Sequence, residues 1–89
     1  MKITWDDRKA EANLKKHGVS FDEATTVIMG PHFYNLNDHP SGHRFEYLGY
    51  SVFNRVLYVV TVEEKDDEIR ILSARKATPN ERRKYEEGI

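Results

Sequence analysis

"RFEYLGYSVFNRVLYVVTV", residues 44–62, is the stretch whose pattern decides the fold. In its first half Phe45, Tyr47 and Gly49 alternate with Arg44, Glu46 and Leu48, the two-residue repeat of a strand. That strand is expected over 44–52. In its second half, VLYVVTV (56–62), nearly every side chain is apolar and β-branched, as in a central strand buried on both faces. The intervening FNR makes a turn, because Asn54 tolerates positive φ. An alternating strand, a short turn and a buried strand form an antiparallel hairpin. The rest of the chain must extend and cover it.

Downstream, EEKDDE (63–68) is expected to turn the chain into another strand, IRILSARK (69–76). Thr78, Pro79 and Glu81 then combine an N-cap, an N1 proline and a capping-box acid, which starts a helix over 79–87. Upstream, HFYNLND (32–38) reads as a strand, and HPSG (39–42) as the loop after it.

Before residue 30 the period is helical. Phe21, Ala24, Val27 and Ile28 recur at helix spacing behind Ser20 and Glu23, a capping box, and Gly30 and Pro31 end that helix at 29. Asp6 and Asp7 open an earlier helix over 7–17, with Trp5, Ala10, Ala12 and Leu14 as a thin apolar stripe. Lys15, Lys16 and His17 close its last turn, where cations are favoured, and Gly18 stops it. KITW (2–5) is a short first strand. The order is β-α-α-β-β-β-β-α, one α+β domain over 1–89, with the two N-terminal helices on one face of a mainly antiparallel sheet.

The chain has no Cys, so neither disulfides nor thiolate metal sites are available. No apolar run approaches the roughly 18 residues of a membrane span, and MKITWDDRKAEANLKKHG lacks the apolar core of a signal peptide, so a cytoplasmic protein without membrane contact is expected. The formal net charge is −1. Its distribution is uneven. Residues 63–68 hold five acids and one Lys, whereas 70–84 hold Arg70, Arg75, Lys76, Arg82, Arg83 and Lys84 against Glu81. Such runs are often only solvated surface, but a basic strand–helix junction on a slightly acidic protein also suits a polyanion.

Three blocks, WDDRKAEANLKKHGVSFDEA (5–24), GYSVFNRVLYVV (49–60) and IRILSARKATPNERRKYE (69–86), resemble the BrnT family of toxins, whose fold is similar to RelE-type ribonuclease toxins. Asn54 stands where that family often has Gly, and both residues tolerate positive φ. The resemblance implies the toxin of a type II toxin–antitoxin system, a ribonuclease that cleaves RNA, free or on ribosomes, and inhibits translation. It also implies a BrnA-like ribbon-helix-helix antitoxin that neutralises the toxin and with it represses their operon, so that operator DNA is met only through the antitoxin. The alternative is a non-catalytic RNA- or protein-binding module acting through the basic junction.

RNA cleavage needs a base for the 2′-OH, positive charge on the phosphate and an acid for the 5′-oxygen; it needs neither metal nor cofactor. Arg grips phosphate as a fork, and His titrates near neutrality. Arg75 ends the last strand beside a helix N-terminus, where it can bind phosphate or pair with Glu46 or Glu81. Arg70, five residues earlier, is expected on the opposite face, contacting RNA or pairing with a nearby acid. Ser73 is expected to share a face with Arg75, Ile69 and Ile71, either orienting a phosphate or letting a helix pack closely. Arg55 follows a turn and is either a phosphate ligand, as the family pattern suggests, or turn solvation. His17 can be the acid or base and Lys16 a phosphate contact, or both simply complement the helix dipole. Lys76, Arg82 and Arg83 complete the RNA-binding set, and Tyr85, one turn on from Arg82, can stack on a base or anchor the helix. His39 and His43 flank Pro40 and Ser41 in a loop, a spacing that does not form a metal pair off a helix; His39 is also a candidate base.

Overall fold

The computed structural model describes residues 1–39, 42–65 and 67–88. The elements are β1 (Lys2–Thr4), α1 (Asp7–His17), α2 (Phe21–Met29), β2 (Phe33–His39), β3 (Gly42–Tyr50), β4 (Val56–Lys65), β5 (Glu68–Lys76) and α3 (Pro79–Glu87). They form the expected α+β order around one five-stranded sheet, β1-β5-β4-β3-β2. β4 is central. β1 runs parallel to β5, and the other neighbours are antiparallel.

The three helices have the boundaries their caps predict. Asp6 accepts from the amides of Arg8 and Lys9, and Gly18 takes the left-handed conformation at the end of α1 (φ 69°). Thr78 and Glu81 form a complete capping box at α3. At α2 only half of the expected box is made. Ser20 Oγ accepts from the Glu23 amide at 3.0 Å, but the Glu23 side chain turns inward to Ser51 and Arg55.

The strands extend beyond, or shift from, the ranges read in the sequence. β3 begins at Gly42, and His39 pairs with it, so the expected loop at 39–42 contracts; Pro40 and Ser41 lie outside the described residues. β3 stops at Tyr50 because the Ser51 amide donates to Arg55 O (2.9 Å) and Asn54 adopts φ 65°, closing the turn. β4 continues through Glu63 to Lys65, where the ladder is maintained by the pairing of Lys65 with Glu68, so the acidic run is partly strand; Asp66 also lies outside the described residues.

The sheet's two faces differ. Leu57 and Val59 of β4, with Ile69, Ile71 and Ala74 of β5, point towards α1 and α2 and meet Val19, Phe21, Ala24, Val27 and Ile28. Burying Val, Ile or Phe side chains contributes roughly 1.5–3 kcal/mol apiece, which is enough to seat α2 firmly. α1 is attached differently. Its expected apolar stripe is split: Trp5 and Ala10 pack against the core, whereas Ala12 is exposed and Leu14 is 50% exposed. The buried residue of α1 is Asn13, whose amide donates to Val19 O (3.0 Å) and Ala74 O (2.8 Å) and accepts from the Ala74 N–H (3.1 Å).

A β-bulge decides the other face. Val60 pairs with Ser73 but Thr61 pairs with Ile71, leaving Leu72 as an extra residue. The side-chain phase of β5 flips there. α3 follows β5 in the chain and touches β3, and none of its side chains is buried. Gly49 is required by packing: a Cβ there would come within 2.8 Å of the Pro31 carbonyl oxygen. No helix among the described residues is long and apolar enough to cross a membrane.

Candidate functional site

Two hydrogen bonds shape the end of the sheet where β3 and β5 finish. The 51–55 turn aims Arg55 back under α2, and the Ala77 amide donates to Val56 O (2.9 Å), turning the chain from β5 into α3. Pro79 and the Thr78 cap fix the first turn of α3, so Arg82 returns over the strand ends. The result is a cleft of about 210 Å³ whose walls include Asn54, Arg55, Lys76 and Arg82, together with Tyr50 and Glu86. Three of the sequence-selected cations meet there.

Arg55 is held by a carboxylate that the sequence did not mark as part of a site. Its Nε donates to Glu23 Oε2 (2.7 Å) and its Nη2 to Glu23 Oε1 (2.6 Å). Ser51 Oγ donates to the same Oε2 at 2.7 Å. The Arg55 fork holds the Glu23 carboxyl below its ordinary range; burial opposes this and Ser51 reinforces it. Arg55 is in turn held charged by Glu23. Its Nη2 also donates to Gly18 O at 2.9 Å, which brings the end of α1 to the same corner. His17, half-buried, and Lys16, exposed, are the residues just before that carbonyl.

Arg70, Ser73 and Arg75 occupy the sheet face instead. The expectation that Arg70 and Arg75 point to opposite faces is overturned by the bulge at Leu72. Their partners on β4 are Val62 and Tyr58, and Ser73 sits opposite Val60 between them, so all three share the face away from α1 and α2. For the same reason Ser73 does not share a face with Ile69 and Ile71, which lie in the core. Of the two acids considered for Arg75, the structure uses Glu81: Nη1–Oε1 is 2.8 Å and Nη2–Oε2 is 3.0 Å. The guanidinium also lies 4.4 Å from the centre of the Tyr58 ring. Arg75 keeps Glu81 ionised below the usual carboxylate range, and burial, followed by a hydrogen bond to Glu46, pushes the Tyr58 hydroxyl up to about 12. In this conformation Arg75 fixes α3 to the sheet rather than facing the cleft.

Arg83 is on the outer side of α3, hydrogen-bonded to Asn80 and away from the strand ends. His43 is exposed; the His39 backbone belongs to β2, and its side chain lies outside the described residues.

Beyond Tyr50 and Glu86 the surface opens into a second cleft of about 480 Å³, walled by Pro31, His32, Tyr50, Tyr85 and Glu86. Tyr50 and Tyr85 meet edge to face, with centroids 5.4 Å apart, and Tyr50 donates to Glu86 at 2.7 Å. Tyr85 therefore anchors α3, as one of its two readings held. Sequence reading missed Tyr50, Glu86, Glu23 and Ser51. The available signal was small: a polar Ser and a Glu at positions that the strand and helix periods direct inward.

Residues 5–81 match the family model described as "Ribonuclease toxin, BrnT, of type II toxin-antitoxin system". The fold is similar to that of the Brucella abortus ribonuclease toxin BrnT in its 1.1 Å crystal structure, with TM-score 0.66, 22% identity, and coverage of 88% of this chain and 97% of that one. No curated protein sequence matches.

Proposed function

We propose that this chain, which belongs to the BrnT family of ribonuclease toxins of type II toxin–antitoxin systems, cleaves RNA at the cleft formed by Arg55, Lys76 and Arg82. The observation that carries this reading is the meeting of those three cations, one in the 51–55 turn, one at the end of β5 and one on α3, in one recess. A scissile phosphate seated there gains charge as the ribose 2′-oxygen attacks it, and cations fixed in advance favour that state over the ground state. The Glu23–Ser51 support keeps Arg55 from reorienting. His17, at the adjoining corner, is the side chain best suited to take the 2′-OH proton or give one to the departing 5′-oxygen. The products are a 2′,3′-cyclic phosphate and a 5′-OH, and no metal enters the scheme. Arg75, Ser73 and Arg70 act from the sheet face, Arg75 as a positioning group for α3.

A BrnA-like ribbon-helix-helix antitoxin neutralises the toxin by covering the same basic junction, in competition with RNA, and the pair represses its own operon. Arg83 and Lys84, on the outer side of α3, suit that partner rather than RNA. Charged groups at the rim of such an interface mainly set the association rate.

The test has two arms. Expressed alone, the protein should stop protein synthesis; purified, it should cut total RNA to discrete fragments in EDTA as well as without it. RNA that is bound but left intact would make it a binding module instead, and cleavage abolished by EDTA would reject the metal-free scheme.

A further inference from the structure

The larger cleft raises a chemical question of its own. It adjoins the basic recess, sharing Tyr50 and Glu86 as a common wall. Glu86 Oε1 lies 3.9 Å from Arg82 Nε one turn earlier on α3, a distance longer than a hydrogen bond, and its carboxylate still repels phosphate on a surface otherwise suited to it. The hydroxyl protons in this cleft are already used: Tyr50 donates to Glu86, and Tyr85 donates to Pro31 O at 3.2 Å. His32 Nδ1 faces Gly30 O at 2.8 Å and, against a carbonyl, must be the donor. What Glu86 offers a ligand here is therefore a pair of acceptor oxygens beside aromatic surfaces.

We infer that this cleft seats an unstacked nucleobase next to the scissile phosphate, and that Glu86 makes guanine the preferred one. The inference rests on the RNA-cleaving reading above. Single-stranded bases are recognised by stacking on aromatic rings and by hydrogen bonds to their Watson–Crick edges. Guanine alone presents two adjacent N–H donors on that edge, N1–H and N2–H, which match the two oxygens of a carboxylate. Uracil has one N–H between two carbonyls. Cytosine and adenine each put a ring-nitrogen acceptor beside their amino group. All three set an acceptor against Glu86. The cleft volume of about 480 Å³ has room for a base and part of its ribose.

The test uses four short RNAs that differ only in the base beside one cleavable phosphate, and reads the ratio of cleavage rates. The wild type should favour guanine by about tenfold, the discrimination of one good bidentate contact. Glu86→Gln keeps an acceptor for Tyr50 but places an amide N–H against guanine, and should bring the ratio close to one in a variant shown to be folded. A second arm titrates guanosine, adenosine, cytidine and uridine 5′-monophosphates while the Tyr50 and Tyr85 ring resonances are followed. Guanosine monophosphate should perturb them most, and Glu86→Gln should erase the difference. Cleavage without base preference, or a guanine preference that survives Glu86→Gln, overturns the inference and leaves the ribonuclease reading standing. A wild type that cuts none of the RNAs yet prefers guanosine monophosphate overturns the ribonuclease reading and leaves the base site. Neither cleavage nor selective binding overturns both.

Discussion

Replacing Arg55 with alanine strands the Glu23 carboxylate. The Glu23 side chain is 2% exposed and that of Arg55 is 32% exposed, so the two halves of the pair are not equivalent. Breaking a buried ion pair by removing one partner costs about 3–5 kcal/mol. In Arg55→Ala the carboxylate remains buried with only the Ser51 hydroxyl as a donor, and a loss of about 3 kcal/mol, the lower end of that range, is expected. In Glu23→Ala the guanidinium can swing into water, the Ser51 hydroxyl loses its acceptor, and about 1–1.5 kcal/mol should disappear. For a domain of this size the first change corresponds to a fall in Tm of roughly 12–24 °C.

The pH dependence separates this account from ordinary loss of contacts. In the wild type the folded-state pKa of Glu23 lies below its unfolded value of 4.5. Its ionisation therefore adds stability above pH 4.5, and this is lost as pH falls through the lower folded value. In Arg55→Ala the cause is removed and burial dominates, so the folded pKa rises above the unfolded one and stability is lost as pH rises through it. The gap between the two proteins should be widest near neutrality and shrink below pH 4.5. Urea denaturation of wild type, Arg55→Ala, Glu23→Ala and the double variant at pH 4 and pH 7 measures it. Equal losses in the two single variants, or a gap that does not change with pH, would refute a buried carboxylate held by Arg55.

Three other outcomes are expected. Asn13→Ala removes all three hydrogen bonds that join α1 to Val19 and Ala74 and leaves their backbone groups buried and unpaired, so chemical denaturation should show a loss of about 3 kcal/mol. Arg75→Ala breaks a half-exposed bidentate pair and a cation–π contact, so about 1–2 kcal/mol should be lost, with amide exchange in α3 accelerating before exchange in β4. Lys76→Ala combined with Arg82→Ala should weaken single-stranded RNA binding and flatten its log-log salt slope by about 1.4, or about 0.7 for each phosphate contact removed.

Much of this architecture is readable in the residues. The caps at Asp6, Ser20 and Thr78 place all three helices, because capping satisfies backbone amides within one turn and leaves a local signature. The central position of β4 follows from VLYVVTV for a similar reason. What escapes is non-local. An extra residue at Leu72 depends on how β5 pairs with β4, and nothing within IRILSARK marks it, so Arg70 and Arg75 are read on opposite faces when they share one. Glu23 looks like a capping-box acid until Arg55, which is 32 positions away, is brought beside it. Leu14 satisfies the helical period and yet faces solvent, while Asn13, which breaks it, is buried because two carbonyls and an amide await it. The cleft is legible as a list of cations but not as a place.

The Asn13 clasp also has a history in time. Its partner Ala74 is 61 residues further along the chain, and β1 likewise pairs only with β5, which is made after every other strand. At about 5–20 residues per second, roughly 3–12 s separate the synthesis of Asn13 from that of Ala74. During that interval α1, which carries Lys16 and His17, lacks the strand that clasps Asn13, and Lys76 and Arg82 have yet to be made. The corner of the molecule that holds the cations is thus assembled from the two ends of synthesis and closes late. A nascent copy passes most of its time on the ribosome without that corner.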